Sequence, residues 1–397
     1  MKKVIVFNYT IPRYDQSSGE RRFVGILKIL AKHYEVDLCV VRYGEWLSNK
    51  EFTRYSNELK EMGVNVLTPT PDSLTKAITN KQYDFAYFEF FWIAEESMLQ
   101  FCKAQPHAVT IIDSVDVHFA REQTQAYIGQ ISHKMVNLTK DRELTMYRAA
   151  DIAIAVSHED VKLLSGEGVS CTHFIPNVVE TVPRESGERN KNVIFIGGYK
   201  WHPNVDAVKW FTKEIWPLVI KKEPEAVFQI IGSDPDKEIM ALENTAGVKV
   251  IGFVPKTKPW LDGAAVSVAP LRYGGGMKGK VNEAMAHGVP VVATSIGAQG
   301  FNAIEGKEMM ITDDPVLFAE KIITLFKTPD LQNAMGIAGQ QLNQSICSEN
   351  VVESQILKMM KQAEGILVTK KGKGNPRPLS FKARVLFRYR KFRRIIH

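Results

Sequence analysis

The sequence predicts an α/β protein made of two doubly wound domains. Three observations carry this. Short, nearly continuous apolar runs alternate with helical patterns along the chain, as expected of parallel strands buried on both faces. The length of 397 residues exceeds what one ordinary core organises. A polar break at 180–191, ETVPRESGERNK, separates two runs of the same rhythm and suits an interdomain linker.

In the first run, VIVFN (Val4 to Asn8), VDLCVV (Val36 to Val41), FAYFE (Phe85 to Glu89), VTIID (Val109 to Asp113) and IAIAVS (Ile152 to Ser157) read as strands. The second run has VIFIGG (Val193 to Gly198), VFQIIG (Val227 to Gly232), VKVIG (Val248 to Gly252), VSVAP (Val266 to Pro270) and PVVAT (Pro290 to Thr294). Pro203 starts the helix after VIFIGG, and Val205, Val208, Phe211 and Ile215 give it a buried face. Pro217 is expected to kink or end it. Phe318 to Phe326 and Val351 to Leu367 read as late helices. The boundaries that follow are a first domain over 1–178, a second over 192–349 and a basic tail over 369–397.

With 45% hydrophobic and 24% charged residues, the chain is globular. Cys39, Cys102, Cys171 and Cys347 are far apart and form no C-x-x-C pair, which argues against a disulfide framework or a zinc site and fits a reducing cytoplasm. The apolar run after the initial MKK ends at Asn8, too short for an export signal. No stretch approaches the roughly 18 apolar residues of a membrane span. The formal net charge is +7, but from Lys370 to His397 basic residues occur with no Asp or Glu. The excess therefore comes from the tail, and a nucleic-acid surface on the folded body is not indicated.

The chemistry concentrates in APLRYGGGMKGKVNEAMAHGVPVVATSIGAQG, residues 269–300. It reads as strand end, glycine-rich loop, short helix, turn and strand. Gly274, Gly275, Gly276 and Gly279, with Met277 among them, let the backbone approach a ligand closely. A helix starting near Lys278 aims free N–H groups and a positive dipole end at that loop. Lys278 and Lys280 add full charge, and Glu283 lies about one turn further on, suited to accept hydrogen bonds from a hydroxyl pair. Phosphate at the helix start and a carboxylate one turn in match a diphosphate followed by a ribose. The bland alternative is a loop that merely turns the chain. No Gly-Lys-Ser/Thr is present, so this is not a Walker A loop.

The segment resembles the donor-binding signature of glycosyltransferase family 4, a retaining group whose GT-B fold implies two Rossmann-like doubly wound domains facing across a cleft. IGGYKWHPNVDAVKWFTKEIWPLV, IIGSDP, VIGFVP and EAMAHGVPVVATSIGAQG occur in the family's order. The resemblance implies that Glu283 holds the donor ribose and that Phe253 and Val254 face the nucleobase. It also implies a last helix, 351–367, that crosses back to the first domain. Two departures stand out. The first glutamate of the family's usual pair would fall at Gly275, and Gly198 takes the place of an arginine. The charge that neutralises phosphate is then expected on Arg272, Lys278 and Lys280, with Lys200 as a helper. Diphosphate in such enzymes is held by basic groups and helix dipoles, so no metal or other cofactor is expected. DPD (Asp234 to Asp236) accordingly reads as a turn and helix cap.

On the acceptor side, Gly19, Arg21 and Arg22 follow the first strand, where α/β sheets bind ligands. They are candidates for the far wall of a diphosphate site, the alternative being a capped helix with two solvated arginines. Asp116 and His118 follow the strand VTIID and are the catalytic candidates, because related enzymes place a His or Asp there against the transferred sugar. The alternative for Asp116 is a helix cap. His33, His107, His133, His158, His173 and His287 show no ligand spacing. In the tail, Phe381, Val385, Leu386 and Tyr389 form one apolar face with a cationic rim if helical, suited to an anionic membrane; a solvated tail and nucleic-acid binding are the alternatives.

These readings describe a cytoplasmic enzyme, peripheral on the inner face of the membrane. It transfers a sugar with retention from a nucleotide diphosphate-sugar to a glycan or lipid-linked acceptor, in glycan or exopolysaccharide biosynthesis. The rivals are an inactive GT-B scaffold that binds glycans or partners, and a Rossmann oxidoreductase. The absence of a tight G-x-G-x-x-G turn after the first strand counts against the latter.

Overall fold

The computed structural model describes residues 1–41, 48–67, 73–183 and 190–372. The tail segment carrying Phe381, Val385, Leu386 and Tyr389 lies outside the described residues, as do 184–189 of the polar break.

The first domain runs β1 (Lys3–Asn8), α1 (Ser18–His33), β2 (Glu35–Val40), α2 (Asn49–Glu61), β3 (Val64–Val66), α3 (Ser73–Asn80), β4 (Phe85–Glu89) and α4 (Phe91–Ala104). It continues with β5 (Val109–Asp113), α5 (His118–Tyr127), α6 (His133–Ala149), β6 (Ile152–Ala155), α7 (His158–Gly166) and β7 (Thr172–Phe174). Its strands form one parallel sheet in the order β3-β2-β1-β4-β5-β6-β7. The apolar runs fill both faces, one against α1 and the other against α4 and α6. That two-sided burial is why the strands read as unbroken apolar stretches.

The second domain runs β8 (Asn192–Ile196), α8 (His202–Trp210), α9 (Trp216–Lys222), β9 (Val227–Ile231), α10 (Lys237–Met240), β10 (Val248–Gly252), α11 (Lys258–Asp262) and β11 (Val266–Ala269). Next come α12 (Gly279–Ala286), β12 (Val291–Ala293), β13 (Met310–Ile311), α13 (Pro315–Lys327) and α14 (Pro329–Cys347). The sheet order is β10-β9-β8-β11-β12-β13, again parallel. Pro217 does not end the helix. A π turn over Phe211–Ile215 joins α8 to α9, and Pro217 sits in the first turn of α9; the wider turn absorbs the missing N–H and the ring.

The final helix α15 (Glu349–Gly372) leaves the second domain and packs on the first. Its Val352, Ile356, Met359, Met360, Ala363 and Leu367 join the core around β1, β2 and α1. Polar pairs line its flank: Glu349 with Lys28 and Lys32, Glu353 with Lys32 and His33, and Glu364 with Lys2. It ends where Lys370 reaches Asp151 and Lys371 reaches Asp84. The first two lysines of the basic stretch are thus spent on docking this helix under the first sheet.

Candidate functional site

The loops after β8, β10, β11 and β12 converge on the start of α12. A Cβ at Gly232 would lie 1.9 Å from the Gly197 carbonyl oxygen, and one at Gly197 would lie 2.6 Å from Asn204 Nδ2. Only glycine lets the β8 and β9 loops meet this closely. Asn204 donates to the Gly198 carbonyl at 2.8 Å and accepts from Lys280 Nζ at 2.8 Å. Lys200, exposed, lies 3.3 Å from Asp234. Phe253 is exposed beyond β10, and Val254 packs on the core beneath. Asp236 accepts from the backbone of Glu238 and Ile239, so the DPD stretch caps α10 as expected.

Lys278 occupies the N-cap position of α12 with no side-chain hydrogen bond to the first-turn amides. Val281 N–H already donates to the Lys278 carbonyl at 3.0 Å, so the amides of Gly279 and Lys280 are the donors this turn offers an anion. Half-buried Lys280 in that turn lies 4.9 Å from the Phe195 ring centroid. Burial lowers its pKa to about 7, and the neighbouring Lys278 adds to the shift. Glu283, one turn on, accepts from Thr257 Oγ1 at 2.5 Å and lies 3.6 Å from Arg21 Nη1 of the first domain.

Three predicted site residues have other employment. Arg22 is fully buried, donating to Asp113 at 2.7 Å and to the carbonyls of Ile175 and Pro176. It ties α1 to β5 and the domain crossing, so the expected diphosphate wall rests on Arg21 alone. Arg272 forms a two-pronged pair with Asp206, which compensates its charge within the second domain. Met277 is buried against Gly300 and Cys347 and belongs to the core, not to an open loop. Gly19 has room for a side chain, its nearest neighbour Ser17 Oγ lying 3.8 Å away.

The glycine loop meets the first domain directly. A Cβ at Gly275 would lie 3.1 Å from Asp116, one at Gly276 would lie 2.8 Å from Val156, and one at Gly279 would lie 2.4 Å from Ser18. Gly274 and Gly276 also have positive φ, 155° and 62°. Lys278 Nζ donates to the Gly275 and Gly276 carbonyls at 3.0 and 2.6 Å. Burial lowers Lys278 to about 8, against the pull of Asp160 and Asp116. Burial likewise pushes Asp160 up to about 6.

Asp116 and His118 both sit at this junction, nearly buried. Asp116 is ion-paired with Arg121 and lies 3.2 Å from His118 Nδ1. Burial would raise Asp116, but His118, Arg121 and Lys278 hold it below the usual carboxylate value. The cap of α5 comes from Glu143, which accepts from the His118 and Phe119 amides at 3.0 and 2.9 Å, so Asp116 is free of capping. The rings of Phe90, Phe91 and Trp92 stand edge-on around the His118 imidazole, Trp92 closest at 4.7 Å.

Asn204, Thr257, Arg121 and Asn177 also line the site, and no motif marks any of them. Asn177, at the crossing, donates to Asn282 Oδ1 at 2.6 Å, and Asn282 bonds Asn343 at 3.0 Å. This buried chain fixes α12 to the hinge. Glu89, at the end of β4, is pushed well above the usual carboxylate range by burial and by Asp113 and Glu20. Among the described residues no group of three or more His, Cys, Asp or Glu gathers as a metal site.

Two facing Rossmann-like domains with a last helix that crosses back constitute the GT-B fold. It is shared over nearly the whole length with a sucrose-phosphate synthase from Thermosynechococcus elongatus (TM-score 0.69, 14% identity, 92% of this chain and 100% of that one). HepE of Anabaena, solved with UDP-glucose, matches with a TM-score of 0.63 and 14% identity over 91% of this chain and 100% of that one. A glycosyltransferase from Rickettsia africae matches with a TM-score of 0.65 and 13% identity, covering 91% and 98%. Residues 190–328, which hold the converging loops and α12, match the family model of glycosyl transferases group 1. A curated relative, an uncharacterized 44.6 kDa protein in the cps region of Klebsiella pneumoniae, is 30% identical over 146 residues. That match spans 35% of this chain and 38% of the relative's own length.

Proposed function

We infer that this protein is a retaining glycosyltransferase of polysaccharide assembly. It moves a sugar from a nucleotide diphosphate-sugar to a glycan or lipid-linked acceptor. The observation that carries the reading is the start of α12: uncapped amides, Lys280 in the first turn and Glu283 one turn on, within the segment that matches glycosyl transferases group 1. The amides and Lys280 neutralise the diphosphate, which is the leaving group, and Glu283 takes the ribose hydroxyls. Phe253 and Val254 flank the base. Asp116 and His118 line the first-domain side, where the Arg121 pair and the aromatic rings position them against the transferred sugar.

The complex of HepE with UDP-glucose and the location of the Klebsiella relative in a cps region support the donor class and the pathway type. No metal is required in this reading, because helix amides and lysine supply the positive charge. The protein works in the cytoplasm, on the inner face of the membrane, where the basic tail adds attraction to anionic lipid. The test is a thermal-shift and hydrolysis screen against uridine, guanosine and thymidine diphosphates and their sugars, with and without EDTA. Saturating ligand at about a hundred times Kd adds about 2.7 kcal/mol of apparent stability. No shift and no hydrolysis with any of them would remove the reading.

A further inference from the structure

The run Glu89-Phe90-Phe91-Trp92 joins β4 to α4. Phe90 and Trp92 lie face to face, with ring centroids 4.2 Å apart and planes 11° from parallel. Both are half-buried and pack against the first-domain core. Phe90 has φ 68° and ψ 148°, a conformation natural to glycine and costly for a bulky side chain. Such strain persists where the surroundings over-determine it, and it gathers at ligand sites. Half-exposed aromatic residues are ordinary one at a time. A stacked pair on strained backbone, at the carboxyl end of a parallel sheet, stands where such sheets bind ligands.

Place and chemistry identify the occupant. A path of contacts leads from the glycine loop to the rings. A Cβ at Gly275 would lie 3.1 Å from Asp116, Asp116 lies 3.2 Å from His118 Nδ1, and the Trp92 ring lies 4.7 Å from the imidazole. The rings thus come after Asp116 and His118 on the way from the donor loop into the first domain, the position of an acceptor. His118 Nδ1 donates to the Asp116 carbonyl at 3.1 Å, so Nε2 carries the ring's remaining hydrogen-bonding capacity. A flat apolar block edged by an imidazole and a carboxylate suits a pyranose, which has a C–H face and hydroxyls around its rim. It suits a phosphate poorly. Arg142, over the Phe91 ring, is already paired with Glu95, and Arg121 with Asp116. The residue before the rings is the buried carboxylic acid Glu89.

We propose that the Phe90–Trp92 block seats the acceptor and that the acceptor ends in a sugar ring, so that this protein extends an existing saccharide and does not start one on a bare lipid phosphate. This rests on the glycosyltransferase reading for the identity of the donor. In the transfer, a hydroxyl oxygen of the seated sugar forms the new bond to the anomeric carbon as the bond from that carbon to the nucleoside diphosphate breaks, and the hydroxyl proton leaves with the diphosphate. A separate transfer reaction must supply the first sugar of the chain.

The test is saturation-transfer NMR on the full-length protein. The probes are methyl β-glucoside, methyl β-galactoside, methyl α-mannoside and methyl β-N-acetylglucosaminide, with citronellyl phosphate as a bare lipid phosphate. Each is measured alone and with uridine, guanosine or thymidine diphosphate. At least one glycoside should saturate, most strongly at the C–H protons of one ring face. Replacing Phe90 and Trp92 together by Ala should raise its Kd by roughly tenfold, while Trp92→Phe, which keeps a flat ring, should change it little. Phe90→Gly relieves the backbone, so it should melt above Phe90→Ala yet lose the glycoside equally, which separates the loss from misfolding. His118→Ala leaves the block in place and should weaken the glycoside less than the double variant does. The reverse order overturns the proposal, since the rings then serve only to hold His118. So does saturation of no glycoside, saturation undiminished in the double variant, or binding of citronellyl phosphate at the rings in place of the glycosides. Glycoside binding without binding of any nucleotide would remove the glycosyltransferase reading and leave the sugar seat standing; nucleotide binding without glycoside binding does the opposite.

Discussion

If Lys280 meets the donor diphosphate, binding must take up a proton. Its Nζ lies between Asn204 Oδ1 and the Phe195 ring, and burial holds its pKa at about 7 in the free protein. At pH 8 about one molecule in ten carries the charge. A diphosphate alongside favours the charged form and raises the pKa. Affinity should then be flat below pH 7 and fall above it by about tenfold, or about 1.4 kcal/mol, for each pH unit. The fall stops when the pH passes the pKa of the complex. A nucleotide-sugar is the right ligand, since its diphosphodiester does not titrate in this range. Calorimetry at pH 8 in buffers of different ionisation enthalpy should report close to one proton taken up. Lys280→Met should abolish both the uptake and the slope. Pairing Lys280 with ligand charge is refuted if affinity is constant between about pH 6 and pH 9 and no proton is exchanged. Without ligand the shift acts on stability. The unfolded chain holds this proton more tightly between pH 7 and 10.5, so Lys280 makes the native state gain stability as pH rises through that window.

Three further outcomes follow from named contacts. Glu283→Gln keeps size but removes the charged acceptor, and donor affinity should fall by about 1.5–3 kcal/mol in a variant that melts normally; unchanged calorimetric affinity would exclude a ribose contact. Arg22→Met leaves Asp113 buried without its partner, and urea unfolding should show a loss of about 3–5 kcal/mol; a loss below about 1 kcal/mol would mean Arg22 is no anchor. Gly279→Ala favours the helix locally yet places a Cβ 2.4 Å from Ser18. Turnover should fall, and adding Ser18→Gly should restore it; no rescue in that cycle would show that the two domains do not meet there during catalysis.

The long parallel strands were legible because burial on both faces writes itself as runs of Val, Ile and Phe. The short edge strands β3, β7 and β13 were not. VNV, THF and MI are too brief to show a period, and they form only by pairing with a longer neighbour. Helix α14 is equally hard to read from the sequence. Gly336 and Gly339 weaken its pattern, and the structure shows why one is there: a Cβ at Gly339 would lie 3.2 Å from the Glu308 carbonyl oxygen. At the site, the loop, the start of α12 and the order Lys280 then Glu283 could be read directly, because all lie within the one short stretch 274–283. Charge pairing could not. Arg22 finds Asp113 across 91 residues and Arg272 finds Asp206 across 66, and a sequence lists charges without saying which of them cancel.

The glycine loop satisfies two demands that the sequence merges into one. Gly275, Gly276 and Gly279 are each explained by first-domain atoms that a Cβ would strike, with no ligand involved. A ligand would draw on other parts: the Gly279 and Lys280 amides of α12, the Lys280 side chain and Glu283. These two sets lie on the same few residues, and Glu283 itself reaches Arg21 of the first domain. A diphosphate that draws on the α12 amides therefore acts on the segment that sets how closely the domains approach. Any preference of the donor for one spacing of the domains must appear, by linkage, as an equal preference of that spacing for the donor. The buried chain from Asn177 through Asn282 to Asn343 makes this coupling stiff, since α12 cannot shift without breaking hydrogen bonds at the hinge. If α12 holds the donor, donor binding and domain closure are two readings of one equilibrium, and glycine at position 275 has a physical reason. A side chain there would meet Asp116 and Arg121 at 3.1 and 3.3 Å, holding apart the two halves that the loop draws together.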